Sequence, residues 1–402
     1  MKSNTFLFFV LISLLLFYYL IELLIHRGTL SGFRNRIHVN GTRGKSSITR
    51  LIRAGLAASG ERVFAKTTGT LARMILPDGT ERAVHRFGRP SILEQISILK
   101  AAKKEKATSI VIECMALEPR YQWASEGMIL KSTIGVISNI REDHLDVMGP
   151  NLDDVALALA STVPIGGKLI TGETKFKKII GEVCKDRNTD WIEVSENSPK
   201  DSLITDAEIA KFSYWEHKEN VSIALKVCLE LGVSRNIALQ GMIHSEPDPG
   251  ALTVLPIQFF GKDILFVNAM AANDTESTRM IWNEAKKRYS KDRSGFLLFH
   301  CREDRLERSK LLAQEIAKWA DVNAIFLIGT GTKYAMHYLK KECKEGMRVF
   351  NWEDYNIDLI FESLVAQMKP RSFVLGLGNI AGMGLELTQY LKNRAKIDNR
   401  NE

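Results

Sequence analysis

A glycine-rich turn, "GTRGKSS" at residues 41–47, constrains the fold of this chain more than any other stretch. The residues before it, 36–40, are typical of a short strand, and the apolar residues of 47–59 follow the i, i+3, i+4, i+8 spacing of a helix face. A turn between a strand and a helix N-terminus offers free backbone N–H groups to an anion. The pattern therefore predicts an α/β fold with a phosphate site at this turn.

The turn differs at one position from the phosphate-loop signature G-x-x-x-x-G-K-[ST]. Val39 stands where the signature begins with glycine, whereas Gly44, Lys45 and Ser46 agree with it. We expect the Lys45 ammonium to meet the outer phosphates of a nucleotide and the Ser46 hydroxyl to bind Mg²⁺. An ordinary glycine turn is the alternative, which the strand–turn–helix context disfavours.

Two further apolar runs end in polar residues. "TSIVIECMAL" (108–117) carries Glu113 near its end, and "STIGVISNIREDHLDVMG" (132–149) continues into a polar cluster of Asn139, Asp143, His144 and Asp146. The carboxyl ends of parallel strands meet at one edge of a sheet, where ligands bind. These groups can hold the metal that accompanies a nucleotide; a solvated loop is the alternative for the second cluster.

The segment from Phe6 to Ile25 is apolar throughout except for Glu22. About 20 apolar residues in a helix cross a hydrocarbon core of about 30 Å. No small-residue cleavage site precedes His26, so an uncleaved anchor is favoured over a signal peptide or a buried helix.

The charges beside this segment predict its orientation. Lys2 stands alone before it, and Arg27, Arg34 and Arg36 follow it. Positive charge concentrates on the cytoplasmic side of membrane segments. We therefore expect a single-pass protein of the cell membrane whose remaining chain lies in the cytoplasm.

The composition agrees with a cytoplasmic globular body. Of 402 residues, 45% are hydrophobic and 25% charged, which suits two domains with filled cores. The net charge of +8 does not favour nucleic acid, because no basic run is interleaved with aromatic residues; anionic lipid and nucleotide phosphates explain the cations. The cysteines form no C-x-x-C pair and are expected to be reduced and mostly buried: Cys114, Cys184, Cys228, Cys301 and Cys343.

The last third of the chain predicts a second doubly wound domain. Helical stretches such as 305–320 alternate there with β-rich runs at 264–268, 295–300, 324–328 and 372–377. The glycines of "GLGNIAGMG" (376–384) lie too close to the C-terminus for a dinucleotide-binding βαβ unit. Arg302 and Arg305 lie in a charged stretch that is either a solvated helix start or a contact for a carboxylate-rich substrate.

The order of G-T-x-G-K-[ST], a strand-end glutamate and N-x-x-x-D-H-x-D resembles the Mur ligase superfamily, which includes the muramyl ligases and folylpolyglutamate synthase and uses this shorter glycine signature. Together with further motifs, the whole chain resembles the ATP-dependent ligase subunit of poly-γ-glutamate synthase. Those motifs are "KTTGT" (66–70), "GRPSI" (88–92), "EHKENV" (216–221), "PDPGAL" (247–252), "NAMAANDTEST" (268–278) and "GLGNIAGMG".

The resemblance implies roles for residues that match the family motifs. ATP would be bound by Gly41, Thr42, Gly44, Lys45, Ser46, Ser47 and Asn220. Mg²⁺ or Mn²⁺ would be held by Ser46, Glu113 and His144, and the catalytic residues would be Lys45, Glu113 and His144. Two departures stand out: Ala251 lies where many muramyl ligases have an ATP-contacting arginine, and no motif marks the modified lysine that many of them use. Lys168 is therefore interpreted as a surface lysine.

The resemblance also implies an architecture. It consists of a transmembrane anchor with a short tail (1–27), a Mur-ligase-like P-loop ATPase domain (28–254) and a smaller C-terminal α/β domain (255–402). Muramyl ligases begin with a domain that binds a UDP-sugar, and here the anchor takes that place.

The implied activity is that of an ADP-forming amide ligase. It would activate a glutamyl carboxylate as an acyl phosphate and join it to the amine of glutamate, with glutamate, the growing poly-γ-glutamate, small integral membrane subunits and membrane lipid as partners. Two alternatives stay open at this stage: another Mur-type ligase acting on peptidoglycan or folate, and a membrane-tethered NTPase that powers export without forming a bond.

Overall fold

The computed structural model describes residues 2–69, 72–86, 88, 90–195, 202–248, 251–272, 274–342 and 346–395, with the backbone alone for residues 2–5. Cys343 and parts of the motifs KTTGT, GRPSI, PDPGAL and NAMAANDTEST lie outside the described residues. The chain forms two compact units: unit 1 is Met1–Phe212 with Glu216–Asp248, and unit 2 is Ser213–Trp215 with Pro249–Glu402. The division after Asp248 lies a little before the predicted boundary after residue 254, and the helix of the predicted anchor belongs to unit 1.

Unit 1 is built on an eight-stranded sheet of order β4-β3-β2-β5-β1-β6-β7-β8. Its strands are β1 Asn35–Asn40, β2 Val63–Thr67, β3 Arg73–Ile75, β4 Glu81–Ala83, β5 Ser109–Glu113, β6 Ile134–Ile137, β7 Lys168–Thr171 and β8 Asp190–Glu193. The pairs β2–β3 and β3–β4 are antiparallel, and the other pairs are parallel. Parallel strands are covered on both faces, which explains why β6 is apolar throughout and why β5 is apolar between Ser109 and Glu113.

Ten α-helices and a π-helical segment accompany this sheet in the described residues of unit 1. They are α1 Lys2–Leu30, α2 Lys45–Ala57, α3 Glu94–Lys104, α4 Pro119–Ala124, α5 Leu145–Met148, α6 Leu152–Ala160, α7 Lys177–Asp186, α8 Asp206–Ile209, α9 Lys218–Glu230 and α10 Arg235–Ile243, with a π-helical segment at Ser125–Leu130. One core contains Phe64 and Leu99 with Ile112, and a second contains Val155 and Leu169.

Helix α2 shows the apolar face that its sequence predicts. Ile48, Leu51, Ile52 and Leu56 are completely buried. A Cβ on Gly55 would lie 2.7 Å from Cys228 Sγ and 2.9 Å from Met242 Cε. Because helices α9 and α10 approach α2 this closely, they hold it, and the turn before it, against the sheet.

Helix α1 contains the predicted anchor. Its stretch Phe6–Leu30 is the one helix in the described part of the chain that is long and apolar enough to span a membrane. The end of the helix joins unit 1: Leu30 is buried, His26 Nε2 lies 2.8 Å from the carbonyl oxygen of Ile129, and Lys103 Nζ donates to Gly28 O at 2.7 Å. Strands β1, β5 and β6 all begin just after these contacting segments, so α1 meets the amino-terminal edge of the sheet.

Unit 2 has a six-stranded sheet of order β13-β12-β11-β14-β10-β9, in which β9 is antiparallel and the other strands are parallel. Its strands are β9 Thr253–Phe259, β10 Lys262–Asn268, β11 Ser294–Cys301, β12 Ala324–Gly329, β13 Arg348–Trp352 and β14 Arg371–Leu377. Its helices are α11 Thr275–Tyr289, a 3₁₀ helix Glu303–Arg305, α12 Leu306–Ile316, α13 Thr332–Glu342, α14 Ile357–Gln367 and α15 Met383–Lys392. The predicted second α/β domain is thus confirmed.

Candidate functional site

The turn between β1 and α2 requires glycine at two positions. Gly41 and Gly44 have φ values of 128° and 80°, which L-residues with a side chain rarely adopt. A Cβ on Gly41 would lie 2.0 Å from Ser138 Oγ, and one on Gly44 would lie 2.5 Å from Asn220 Oδ1. The predicted nucleotide residues Gly44 and Asn220 are therefore neighbours.

The N-terminus of α2 is open to an anion. Gly44 precedes the helix and has no side chain to accept from its first turn, which contains no acidic residue. Lys45 Nζ donates to Gly41 O at 2.7 Å and to Thr42 O at 3.3 Å. The ammonium thus lies over the turn, where phosphate oxygens can replace these carbonyls as its acceptors. A nucleotide phosphate fits this arrangement.

Asn139 fixes the shape of the turn. Its Oδ1 accepts from Thr42 Oγ1 at 2.6 Å and from Arg43 N at 3.1 Å, while its carbonyl accepts from Thr42 N at 3.0 Å. In the sequence, Asn139 was one of a cluster of possible metal-binding groups. In the structure its side chain positions predicted ATP-binding residue Thr42.

Two of the predicted metal ligands come together at the carboxyl edge of the sheet. Ser46 Oγ donates to Glu113 Oε2 at 2.8 Å, and Thr68 N donates to the same oxygen at 2.6 Å. Glu113 is buried, and no described residue donates to its Oε1. A hydroxyl beside a carboxylate with an oxygen to spare is a donor set that suits Mg²⁺ or Mn²⁺.

A second carboxylate reaches the first turn of α2, and the sequence did not single it out. Glu216, just before α9, accepts a short hydrogen bond from Ser47 Oγ and another from Asn220 Nδ2 at 2.8 Å. Glu216 therefore links two of the predicted ATP-binding residues. Its place in "EHKENV", immediately before a helix that carries Asn220, was the available signal.

His144 lies apart from the Ser46–Glu113 pair. It precedes α5 with a φ of 46° and a half-exposed side chain, and its nearest charged neighbour is Asp143, at 3.7 Å. Asp143 in turn lies 3.7 Å from Arg43 of the turn. Within the described ranges no hydrogen bond or ion pair joins His144 to Ser46 or Glu113, and no three His, Cys, Asp or Glu side chains converge on one point. The metal-binding role of His144 stays a prediction.

A buried charged pair lies beneath the turn. His38 Nδ1, on β1, is 2.8 Å from Glu126 Oε2, and both side chains are excluded from solvent. Burial lowers the pKa of His38, but the neighbouring Cys114 and Glu126 outweigh it and raise the pKa to about 10. The imidazole is therefore protonated at neutral pH, and Glu126 also accepts from Ser132 N at 2.8 Å.

Arg302, Arg305 and Lys168, for which the sequence gives no definite role, form ion pairs within the protein. Arg302 forms a two-point ion pair with Asp304 at 2.9 and 2.7 Å, and Arg305 lies 3.9 Å from the same carboxylate. Lys168 pairs with Glu230 at 2.6 Å and is partly exposed, as expected for a surface lysine.

Comparison with known proteins gives the same fold and adds a family. Residues 39–236 match the Mur ligase middle domain, and residues 254–394 match the poly-gamma-glutamate synthase CapB C-terminal domain. The chain also resembles the bifunctional folylpolyglutamate synthase/dihydrofolate synthase of Yersinia pestis, solved with AMPPNP and Mn ion. That similarity has a TM-score of 0.69 at 14% identity and covers 92% of each chain, so it supports the fold.

Two relatives are similar over most of their length. The PGA synthase CapB of Bacillus subtilis (strain 168) is 34% identical over 91% of this chain and 92% of its own. The capsule biosynthesis protein CapB of Bacillus anthracis is 33% identical over 92% of this chain and 81% of its own. With this identity over this length, the chain belongs to the CapB family of poly-γ-glutamate synthases, whose middle domain is that of a Mur ligase.

Proposed function

We propose that this protein is an ATP-dependent, ADP-forming ligase that builds poly-γ-glutamate. The observation that carries the proposal is the pairing of Ser46 with the buried Glu113 beside the open N-terminus of α2, because this places an anion site and a metal-binding carboxylate together. The names of the two CapB relatives, one a PGA synthase, support glutamate as the substrate.

The nucleotide and metal would share the residues of this site. Gly41, Thr42 and Gly44 would surround the β and γ phosphates with Lys45, while Ser47 and Asn220 complete the ATP site. Ser46, Glu113 and His144 would hold Mg²⁺ or Mn²⁺, and the manganese and AMPPNP of the Yersinia pestis enzyme support a divalent ion with ATP. A bound metal supplies neutralisation of the charge on the phosphate oxygens.

The chemistry follows from the weakness of a carboxylate as an electrophile. An oxygen of the glutamyl γ-carboxylate attacks the γ-phosphorus of ATP, which releases ADP and leaves an acyl phosphate. The amine of the next glutamate attacks the acyl carbon, an amide forms, inorganic phosphate leaves, and the amine loses a proton to solvent. Lys45 and the backbone N–H groups of α2 stabilise the charge on the transferring group, while Glu113 and Asn139 hold Ser46 and the turn in place.

The apolar helix α1 supports a place at the cell membrane. We propose that it crosses the bilayer once, that residues 28–402 lie in the cytoplasm, and that small integral membrane subunits and membrane lipid are partners of the chain. Protease added to intact cells should leave unit 2 uncut and should cut it after the membrane is opened. Cleavage of unit 2 in intact cells would contradict the proposed cytoplasmic location of residues 28–402.

The activity is tested in membranes that carry the full-length chain. With ATP and a γ-glutamyl oligomer, glutamate addition should release ADP and phosphate, and hydroxylamine should trap the activated carboxylate as a hydroxamate. ADP is expected because a site for the β and γ phosphates favours transfer of the terminal phosphoryl group. Release of AMP and pyrophosphate, or ATP turnover that ignores glutamate, contradicts the proposal.

A further inference from the structure

A buried lysine lies at the same edge of the unit 1 sheet as Glu113. Lys66 is the fourth residue of β2, in the otherwise apolar or neutral run "VFAKT", and its side chain has no solvent exposure. Its strand neighbour Ile112 directly precedes Glu113, and Thr68, two residues after Lys66, donates to Glu113. A charged ammonium is costly to bury, so its surroundings must stabilise it.

One carboxylate serves this lysine and an arginine together. Lys66 Nζ lies 2.8 Å from Glu94 Oε1, at the start of α3, and 3.5 Å from Met115 Sδ. Arg86 approaches Glu94 from the other side, with Nε 2.6 Å from Oε2 and Nη2 3.1 Å from Oε1. Burial disfavours a charged Glu94, but the hydrogen bonds from Arg86 and Lys66 outweigh it and lower the pKa of this carboxyl.

The charges of the cluster do not cancel. Burial lowers the pKa of Lys66, whereas Glu94 and, more weakly, Glu113 raise it. Glu113 is the carboxylate assigned to the metal; apart from it, Lys66 and Arg86 are two cations around the single anion Glu94, and these three groups carry one net positive charge when Lys66 is protonated. The inner cation is enclosed, whereas the Arg86 side chain is 26% exposed. Arg86 meets Glu94 through Nε and Nη2, and among the described residues the structure gives its Nη1 no partner. The surplus charge is therefore presented to solvent at Arg86.

We propose that Arg86 binds a carboxylate of the γ-glutamyl substrate that does not react, the α-carboxylate of the residue being activated, and that Lys66 and Glu94 are its positioning residues. A glutamyl unit whose γ-carboxylate is phosphorylated still carries its α-carboxylate, and a planar guanidinium edge matches that group in two-point geometry. Without Lys66, Glu94 would neutralise Arg86; with Lys66 beneath it, Glu94 orients Arg86 and leaves its charge for the substrate.

This inference rests on the proposed ligase function, so its test compares two acceptors in membranes where each variant replaces the wild-type chain. One acceptor is a γ-glutamyl oligomer, and the other is the same oligomer with its terminal α-carboxylate converted to the amide. The wild-type chain should prefer the carboxylate form by about tenfold or more in kcat/KM, the effect of one lost charged hydrogen-bonded contact. Absence of any glutamate-dependent ADP release from wild-type membranes would refute the ligase function itself.

Arg86→Gln should raise the KM for the oligomer by about tenfold while leaving the KM for ATP within about twofold, and it should abolish the preference over the amide. Lys66→Met should likewise raise the KM for the oligomer and weaken the preference for the carboxylate form. Lys66→Arg keeps the positive charge and should therefore keep the preference of the wild-type chain. Arg82→Gln is the matched control, because Arg82 is exposed on β4 and lies 3.9 Å from Glu105.

An Arg86→Gln protein that retains the preference for the carboxylate form overturns the inference. Lys66 is buried, so unfolding in urea is measured for both of its variants. If Lys66→Met unfolds, Arg86→Gln still decides the contact, and Glu94→Gln decides the positioning: it should weaken the preference without changing the KM for ATP. A Glu94→Gln protein with wild-type preference overturns the positioning role.

Discussion

Among the glycine-rich turns that join a strand to a helix, two have similar sequences, one in each unit. In unit 1, "GTRGKS" leads from β1 into α2; in unit 2, "GTGTK" (329–333) leads from β12 into α13. Both contain left-handed glycines, with φ of 90° and 69° at Gly329 and Gly331. Both place a lysine within the first two residues of the helix.

The two turns differ in whether a carboxylate of the protein accepts hydrogen bonds from the backbone N–H groups at the start of the helix. In unit 2 the Glu353 carboxylate accepts from Gly331 N at 2.7 Å and from Thr332 N at 3.3 Å, so the protein supplies its own anion. In unit 1 two carboxylates reach the first turn of α2, but Glu113 accepts from the Ser46 hydroxyl and Thr68 N, and Glu216 accepts from the Ser47 hydroxyl and Asn220 Nδ2. Among the described residues neither accepts from a backbone N–H of α2, so the start of the helix stays open. A glycine-lysine turn therefore indicates a phosphate site only when no side chain of the protein already occupies it.

The largest expected difference between the turns is in catalysis. Lys45→Ala should lower ATP turnover by more than about 100-fold, because it removes a charge that the transferring phosphoryl group needs. Lys333→Ala, which changes an exposed lysine at the matching place in α13, should leave turnover within about twofold. ADP release measures both, and urea unfolding should show Lys45→Ala within about 1 kcal/mol of wild type. An equal loss of ATP turnover in the two variants would contradict the functional difference between the two turns.

The next largest difference is expected between Glu113 and Glu353, in their effect on the Mg²⁺ requirement of turnover. Glu113→Gln should raise the Mg²⁺ concentration for half-maximal turnover by about tenfold or more, because it removes a metal-binding charge. Glu353→Gln should leave the Mg²⁺ requirement unchanged. Titration of turnover against Mg²⁺ distinguishes them, and a wild-type requirement in Glu113→Gln would remove Glu113 from the metal site.

Each unit also buries a histidine in a central strand, and the pKa values of the two imidazoles are shifted in opposite directions. The pKa of His38 in unit 1 is raised to about 10, so its stabilising effect is complete below about pH 6.5 and is lost as the pH rises toward 10. Burial lowers the pKa of His300 in unit 2, so its effect is present above about pH 6.5 and is lost in acid.

Protection of β1 should therefore fall on the alkaline side and that of β11 on the acid side. The alkaline change should exceed about 1.4 kcal/mol, the free energy of one pKa unit. Hydrogen-exchange mass spectrometry corrected for intrinsic rates measures both strands, and parallel pH profiles would contradict the assigned charges.

The smallest expected effect is on the stability of unit 2 and concerns the turn before α13, where Glu353 accepts from the backbone. Glu353→Ala should destabilise unit 2 by about 1 kcal/mol, the usual effect of losing a helix cap. Inorganic phosphate should then stabilise the variant more than it stabilises wild type, because the start of α13 becomes open. Glu342→Ala, at the other end of the same helix, is the control for urea unfolding; an equal phosphate response in all three proteins would show that the turn binds no anion even when opened.

The parts of the fold that sequence predicts are those encoded by local pattern. The turn, α2, the strand end at Glu113 and the α/β alternation of unit 2 follow from apolar periodicity and glycine placement. The three-residue strands β3 and β4 and the π-helical segment do not, because segments this short show no clear apolar period.

The same limit applies to the site. The family resemblance predicts that Ser46 and Glu113 hold one metal, and the meeting of strand ends at one edge of a parallel sheet agrees with it. The contacts of Glu216 with Ser47 and of Lys66 with Glu94 join segments that are not neighbours in the sheet order, so no spacing reveals them. A lysine within an apolar strand was nonetheless a visible irregularity at Lys66.

The junction of α1 with the amino edge of the sheet sets the distance between this helix and the phosphate turn. The phosphate turn lies at the other end of β1, a six-residue strand that spans about 20 Å. With α1 in the membrane, as proposed, new amide bonds form at this stand-off on the cytoplasmic side. A partner that lies within the bilayer would then have to bridge this distance to contact the phosphate turn, so the height of one sheet sets the reach that such a partner needs.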